Sequence, residues 1–238
     1  MATWVTHTMI AEAVLKDFPQ LDARGFYIGN IAPDCNVENE DWTAFTPSRE
    51  ITHWMLGSRK AVSDADYFLE ECVLNKDLSH CGEEWAFLLG YYSHLLTDGA
   101  FQKYIRDKRR VETVWTRIDA SVLAEASFGM ERTWDSVKRL ISGKERRNRI
   151  ELLEKEYLDA NPSSGYLKFI VPLQGFPDYL EYMPAGCIER KVRIMGFVPQ
   201  KRDYGLGDIA FSRDEYRFFV TSTIKLVSKK LRCVYERN

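Results

Sequence analysis

The chain has 238 residues, of which 45% are hydrophobic and 29% charged, and its formal net charge is −2. This composition is ordinary for a globular protein and argues against extensive disorder. The near-neutral charge implies no general attraction to nucleic acid. No apolar run approaches the roughly 18 residues of a membrane span, so no membrane span is predicted. Because no Pro/Gly/Ser-rich linker divides the chain, we predict one compact domain over residues 1–238.

The amino-terminal stretch MATWVTHTMIAEAVLKDF lacks the positive region, apolar core and small-residue cleavage site of a secretory signal. The five cysteines are an odd, widely scattered set without a Cys-x-x-Cys pair, which favours reduced thiols. Both features predict a cytoplasmic protein.

The first predicted helix covers residues 6–18, where apolar side chains fall on one helical face and Thr6 could cap the start. His7 then lies in the first turn, a position where a histidine is usually exposed or capping. Residues 26–36 follow as an irregular segment that carries Asp34. The acidic stretch 37–49 reads as a surface loop able to cover a site, and it ends just before Glu50 and His53.

Helical periodicity predicts an all-α protein, with the remaining helices at residues 58–74, 111–127, 133–141, 146–160 and 212–234. The last helix begins with a capping box of Ser212 and Glu215. His80 lies in a predicted exposed loop. The run KFIVPL reads as a short extended segment. The basic runs 106–110 and 144–149 read as solvated faces.

The stretch WAFLLGYYSHLLTDGAF, residues 85–101, predicts a central helix that is apolar nearly all round and therefore buried. His94 and Asp98 lie four residues apart and leave the same helical face. A buried unpaired carboxylate costs several kcal/mol, so Asp98 needs a partner, and a metal ion could also engage His94. Gly90 leaves space on that face, and Tyr91 could aim its hydroxyl there.

Histidines and aspartates of the first 105 residues thus predict one metal site. Three imidazoles and two carboxylates suit zinc or another divalent ion. The five candidate metal ligands are His7, Asp34, His53, His94 and Asp98.

Four sequence words occur in order, namely THTMIAEAVL (6–15), GNIAPD (29–34), THW (52–54) and FLLGYYSHLLTDGAF (87–101). With them the chain resembles the zinc-dependent phospholipase C family and, more distantly, single-strand-specific nucleases of the same helical fold. The resemblance covers roughly residues 1–105. It implies a compact multi-helix domain in which Asp34, His53, His94 and Asp98 hold one metal, with the early histidine joining Asp98 on another.

Two features depart from the family pattern. Secreted members use the free amino group of an N-terminal tryptophan as a ligand, whereas Trp4 is internal here. The family's second cluster, two further histidines and a glutamate, is missing because no histidine follows His94. We therefore expect one or two zinc ions, or another divalent metal, rather than three.

The predicted function is that of an enzyme, a metal-dependent hydrolase of a phosphate ester that uses a metal-activated water. The substrate would be a small phosphorylated molecule or a phospholipid head group, and the candidate catalytic residues are Asp34, Glu50 and Tyr91. The alternative is a binding module without turnover, which keeps the helical fold and a structural metal.

Overall fold

The structure, a computed structural model, describes residues 2–55, 62–76, 78, 82–200 and 205–237. These residues are mostly helical, which confirms the predicted all-α class. The α-helices are α1 (Trp4–Leu15), α2 (Ala23–Gly29), α3 (Arg49–Thr52), α4 (Ala65–Leu69), α5 (Glu83–Ile105), α6 (Lys108–Asp119), α7 (Trp134–Leu140), α8 (Gly143–Ala160), α9 (Cys187–Met195), α10 (Gly207–Ala210) and α11 (Arg213–Arg237).

Three short helical pieces and one hairpin complete the described elements. Ala32–Asp34 forms a 3-10 turn, whereas Glu70–Leu74 and Tyr166–Ile170 are π-helical. The strands β1 (Val37–Glu38) and β2 (Phe45–Thr46) pair antiparallel. Among the helices of the described residues, none combines the length and apolar character that crossing a membrane requires.

Helix α5 lies at the centre of the structure, as the apolar stretch 85–101 predicted. Nearly all of its middle is buried, and the helix packs against α1, α2, α4 and α11. Glu83 and Glu84 in its first turn and Lys103 in its last turn suit the helix dipole. The amino-terminal part of α5 contributes to a core cluster with α1 and α2, and its end, from Phe101, to a second cluster with α6, α7 and α8.

A pair of glycines lets α2 and α5 approach backbone to backbone. A Cβ built on Gly90 would lie 2.3 Å from the carbonyl oxygen of Phe26, and one built on Gly29 would lie 2.0 Å from that of Phe87. The space that the sequence assigned to Gly90 beside His94 is thus filled by the α2 backbone. This close contact sets the position of Asn30, which directly follows α2.

The helix ends were predicted less well than the helices. Helix α1 begins at Trp4 with Thr3 as its N-cap residue, not at Thr6. Helix α6 ends at Asp119 rather than near residue 127, because turns follow in which the Ser121 hydroxyl accepts the backbone N–H of Leu123.

Two segments differ in type from their predictions. Residues 26–29 belong to α2 rather than to an irregular segment, since Asp22 caps this helix and its glycines pack on α5. The first half of the run KFIVPL, residues 168–170, lies in the π-helical piece Tyr166–Ile170 and a turn follows, so the run is not a strand; Tyr166 and Ile170 bury their side chains there.

Other boundaries agree. The capping box of Ser212 and Glu215 at the start of α11 is present, and a second one, of Ser142 and Glu145, starts α8 three residues before its predicted beginning. The predicted start of the helix at 58–74 and the loop position of His80 lie outside the described residues.

Candidate metal centre

Four separate elements bring all five predicted ligands together. His7 comes from α1, Asp34 from the end of the 3-10 turn, His53 directly follows α3, and His94 and Asp98 project from α5. Two overlapping groups result, within each of which the ligand atoms lie within 4.8 Å of one another. The first is His7, His94 and Asp98, and the second is Asp34, His53 and His94.

Hydrogen bonds on the far side of two imidazoles determine which ring nitrogen is free. The Nδ1 atom of His94 lies 2.8 Å from the carbonyl oxygen of Asn30. A carbonyl only accepts, so Nδ1 carries the proton and the Nε2 lone pair faces the site.

For His53 the partner behind the ring is a hydroxyl. Thr52 Oγ1 donates to the carbonyl oxygen of Arg49 at 3.4 Å and lies 3.0 Å from His53 Nδ1. On the other side of the ring, His53 Nε2 faces the site and lies 3.3 Å from Asp34 Oδ1. Such partners behind a metal-binding histidine fix its ring and tautomer.

The arrangement of these groups fits a cation. The Nε2 atoms of His53 and His94 lie 3.4 Å apart and face each other across the site. His7 is fully buried, and neither of its ring nitrogens has a hydrogen-bond partner among the described residues. A buried imidazole without partners is costly. An ion between these nitrogens and the two carboxylates would satisfy all of them.

Asp98 offers its two oxygens to different imidazoles. Its Oδ1 atom lies 3.5 Å from His7 Nε2 and accepts the backbone N–H of Ala2 at 3.1 Å. Its Oδ2 atom lies 3.7 Å from His53 Nε2 and 4.0 Å from His94 Nε2. Asp98 thus belongs to the first ligand group and also lies close to His53 of the second.

The protonation states suit ligands. Burial, together with the neighbouring His7, lowers the pKa of His94 to about 3, so this imidazole is neutral near pH 7. Burial by itself would raise the pKa of Asp98, but the nearby His7 and His94 hold that pKa well below its usual range. For Asp34 burial is likewise outweighed by the His53 and His94 imidazoles, which lower its pKa. Neutral imidazoles and ionised carboxylates are the forms that bind metals.

Arg49 is the site residue that the sequence analysis missed. Its Nη2 atom donates to Asp98 Oδ2 at 2.9 Å, and its Nη1 atom lies 3.9 Å from Asp34 Oδ1. About 34% of its side chain is exposed, against 13% for Asp34, while the histidines and Asp98 are almost fully enclosed. Solvent therefore reaches the site beside Arg49 and Asp34. The spacing of four residues between Arg49 and His53 was the available signal.

The other predicted catalytic residues have different surroundings. The buried Tyr91 hydroxyl donates to the carbonyl oxygen of Thr52 and so supports the segment carrying His53. Glu50 is half-buried in the first turn of α3 and belongs to neither ligand group of the described residues. Their catalytic roles stay predictions.

The loop at 37–49 reaches the site with its last residue, Arg49. Elsewhere Glu38 ties it to α9, accepting from Arg190 at 2.6 Å and Lys191 at 2.5 Å. Trp4, the internal tryptophan, donates from Nε1 to Asp34 Oδ2 at 3.3 Å and thereby orients that carboxylate.

Residues 6–101 match a family described as zinc dependent phospholipase C. The matched segment contains all five candidate ligands. Over this segment the chain is similar to the zinc-dependent phospholipase C family. Neither a curated protein nor a solved structure gives a significant match. The family's metal agrees with the donor set, because nitrogen and carboxylate ligands are those that zinc takes in proteins. Helices α6 to α11 lie beyond the residues that match the zinc-dependent phospholipase C family.

Proposed function

We propose that the chain is a metal-dependent hydrolase of a phosphate ester. The observation that carries the proposal is the pair of Nε2 atoms of His53 and His94, 3.4 Å apart, flanked by Asp34 and Asp98. Such a set holds a divalent cation and still leaves the side at Asp34 and Arg49 open to solvent.

Asp34, His53, His94 and Asp98 would hold one zinc ion. His7 and the second oxygen of Asp98 would hold another. When bound, zinc lowers the pKa of a coordinated water and neutralises charge that develops on phosphoryl oxygens. The chain's own part is to hold the ligands in their tautomers, through Asn30 and Thr52, and to exclude water from all sides but one.

Arg49 has the second part in this mechanism. Its guanidinium stands at the open side of the site, where an incoming phosphate would meet it first. Arginine binds phosphate oxygens with two parallel N–H donors and keeps its charge at any accessible pH. We assign Arg49 to holding a non-bridging phosphoryl oxygen of the substrate.

The proton acceptor is assigned by exclusion among the three predicted catalytic residues. The low pKa of Asp34 suits a ligand and makes that carboxylate a weak base. Burial raises the pKa of Tyr91 well above its ordinary value, and its hydroxyl already donates to Thr52. Glu50, next to Arg49 and three residues before His53, is the general base that we propose.

The proposal extends to the setting of this chemistry. We assign the whole of residues 1–238 to one metal-binding domain, place the protein in the cytoplasm, and take its substrate to be a small phosphorylated molecule or a phospholipid head group.

A second candidate function, a non-catalytic binding module with a structural metal, is favoured by one observation. The three imidazoles are almost fully enclosed, and structural zinc sites are closed to water. The two candidates differ in whether a position at the ion exchanges with solvent.

The test is hydrolysis of a chromogenic phosphodiester and a phosphomonoester by protein loaded with zinc or manganese. We expect turnover that is lost on chelation and in Asp98→Asn. Asp119→Asn, which changes an exposed carboxylate paired with Arg132, serves as the matched control and should stay active. Absence of turnover on a broad phosphoester panel at full metal occupancy would favour the binding module.

A further inference from the structure

A large cleft opens beside the metal centre and runs away from it. Its volume is about 1160 Å³, and Asp34 and Trp4 form part of its wall. This exceeds the usual range of roughly 300–1,000 Å³ for sites of small ligands. The cleft thus begins at the solvent-exposed ligand and offers room for much more than a single phosphate group.

Five basic residues line this cleft, and they come from α5 or its end, α7 and α8. They are Arg106, Lys138, Lys144, Arg146 and Arg147. The sequence analysis treated two basic runs separately as solvated faces, but the fold brings members of both to one wall. Three carboxyl groups share the lining, Asp34, Glu151 and Glu154.

Several of these cations have no counter-ion. Within the described part of the chain, Arg106, Arg146 and Arg147 form no ion pair, whereas Lys138 pairs with Asp135 at 2.5 Å. Arg106 donates to Gln102, and Arg146 to the carbonyl oxygen of Ile141. Burial and the adjacent Arg147 both lower the pKa of Arg146, as expected where like charges face each other.

The carboxyl groups only partly offset this charge. One oxygen of Glu154 accepts the backbone N–H of Thr6 at 2.8 Å and the hydroxyls of Thr3 and Thr6. Burial raises the pKa of Glu154 to about 7, which removes much of its negative charge near neutral pH.

Two further observations point to an anion. Asn148 lines the cleft with only 6% of its surface exposed, and its Nδ2 donor has no acceptor among the described residues. The cleft also includes Gly143 at the start of α8, an 18-residue helix. The Ser142 hydroxyl accepts the N–H of Glu145 in this first turn, and the other N–H groups at the start of a helix lack intrahelical acceptors and attract anions.

We propose that this cleft binds a second anionic group of the substrate, a phosphate or equivalent dianion, remote from the scissile phosphate ester. The inference rests on the proposed function, because the scissile group would lie at Asp34. Phe101, Ile105 and Phe211 line the same cleft and would contact the apolar part of such a substrate. The substrate class is therefore an amphipathic phosphate ester with an additional negative charge.

The test measures binding of inorganic sulfate to the full chain by calorimetry. Arg147→Gln and Arg146→Gln should each weaken sulfate binding at least about tenfold, the effect of removing one charge-assisted hydrogen bond. Arg109→Gln changes an exposed arginine of the first basic run that does not line the cleft, so it should bind like wild type. Circular dichroism confirms that each variant is folded.

Two further measurements distinguish the possible outcomes. Asp98→Asn should keep sulfate binding even when hydrolysis is lost. Anion binding by the cleft can therefore be established even if the proposed hydrolase activity is not observed. Flotation with phosphatidylglycerol vesicles, against phosphatidylcholine vesicles, distinguishes a lipid head group from a soluble phosphate as the source of the anion. Absence of sulfate binding, or equal weakening by Arg109→Gln, would overturn the inference.

Discussion

Replacing Gly90 by alanine tests whether the contact between α2 and α5 builds the metal site. The added Cβ would lie 2.3 Å from the carbonyl oxygen of Phe26, where an ordinary contact begins at 3.4 Å. The two backbones must therefore separate by about 1 Å, since neither atom belongs to a flexible side chain. Overpacking of this kind costs about 1–3 kcal/mol.

Helix propensity acts in the opposite direction. Alanine in the interior of a helix is favoured over glycine by about 1 kcal/mol. The clash is against backbone, so we expect the upper part of the overpacking range and a net loss of about 2 kcal/mol in the free energy of unfolding. For a chain of this size that lowers Tm by roughly 4–8 °C.

Separation of the helices also affects the ligands. The hydrogen bond of 2.8 Å between His94 Nδ1 and the Asn30 carbonyl spans this interface. If it breaks, the tautomer that leaves Nε2 free is no longer favoured. Loss of such a partner typically weakens metal binding by about 10- to 100-fold.

The assays are thermal unfolding in chelator and competitive zinc titration. Gly99→Ala is the matched control, because it is the same substitution in the same helix and its Cβ would meet, among the described residues, only a side-chain carbon of Val62 at 3.2 Å. The control should be as stable as wild type or slightly more so. A Gly90→Ala variant with unchanged Tm and unchanged zinc affinity would refute the argument.

Three further predictions follow from the site and its surroundings. Asp98→Asn should abolish binding at both ion positions, whereas His7→Ala should remove one ion and spare the other; calorimetry counts the equivalents, and one tight equivalent unaffected by His7→Ala would contradict the two-ion site. Arg49→Ala should lower kcat/KM for a phosphodiester by about 100- to 1000-fold without weakening zinc binding, since one fixed donor at the transition state is worth about 3–4 kcal/mol; steady-state kinetics test this, and full activity would remove Arg49 from the mechanism. Because the pKa of Glu154 rises from 4.5 to about 7 on folding, the folded state holds this proton more tightly, and the associated stability is lost as pH rises through 7. Relative to Glu154→Gln, wild type should therefore lose about 3 kcal/mol of its free energy of unfolding between pH 4.5 and pH 8. If the denaturant midpoints of the two proteins instead change with pH in the same way, Glu154 is not the group responsible.

The sequence was informative where the signal is local. Helix α5 was predictable because its apolar run and the spacing of His94 and Asp98 both refer to one helix. The five candidate ligands could be named as a set because four short words occur in the family's order. The same words carry the resemblance to the zinc-dependent phospholipase C family, whose model matches residues 6–101.

The missed features depend on contacts between distant segments. Asn30 supports His94 through its backbone carbonyl. Every residue has such a carbonyl, so the residue type at position 30 does not indicate this contact. Arg49 begins α3 directly after a polar stretch of sequence, where an arginine is ordinarily a solvated side chain. Arg106 and Arg147 share a cleft only because the end of α5 lies close to the start of α8. No local sequence pattern predicts that the two helix ends are close in space.

The distribution of the ligands along the chain has a consequence for how the protein is made. His7, Asp34, His53 and Asp98 come from four separate elements, of which α5 is the last in the chain, so a nascent chain has no complete site until Asp98 has been synthesised and α5 has packed. The ion must then enter a chain that is already folded. Arg49, paired with Asp98, supplies the positive charge that such a chain needs before loading, and the entering ion has to displace it. Movement of the Arg49 side chain, at the only open side of the described site, should thus limit the rate of zinc uptake. Substitution of Arg49 should therefore change the rate at which zinc binds as well as the amount bound.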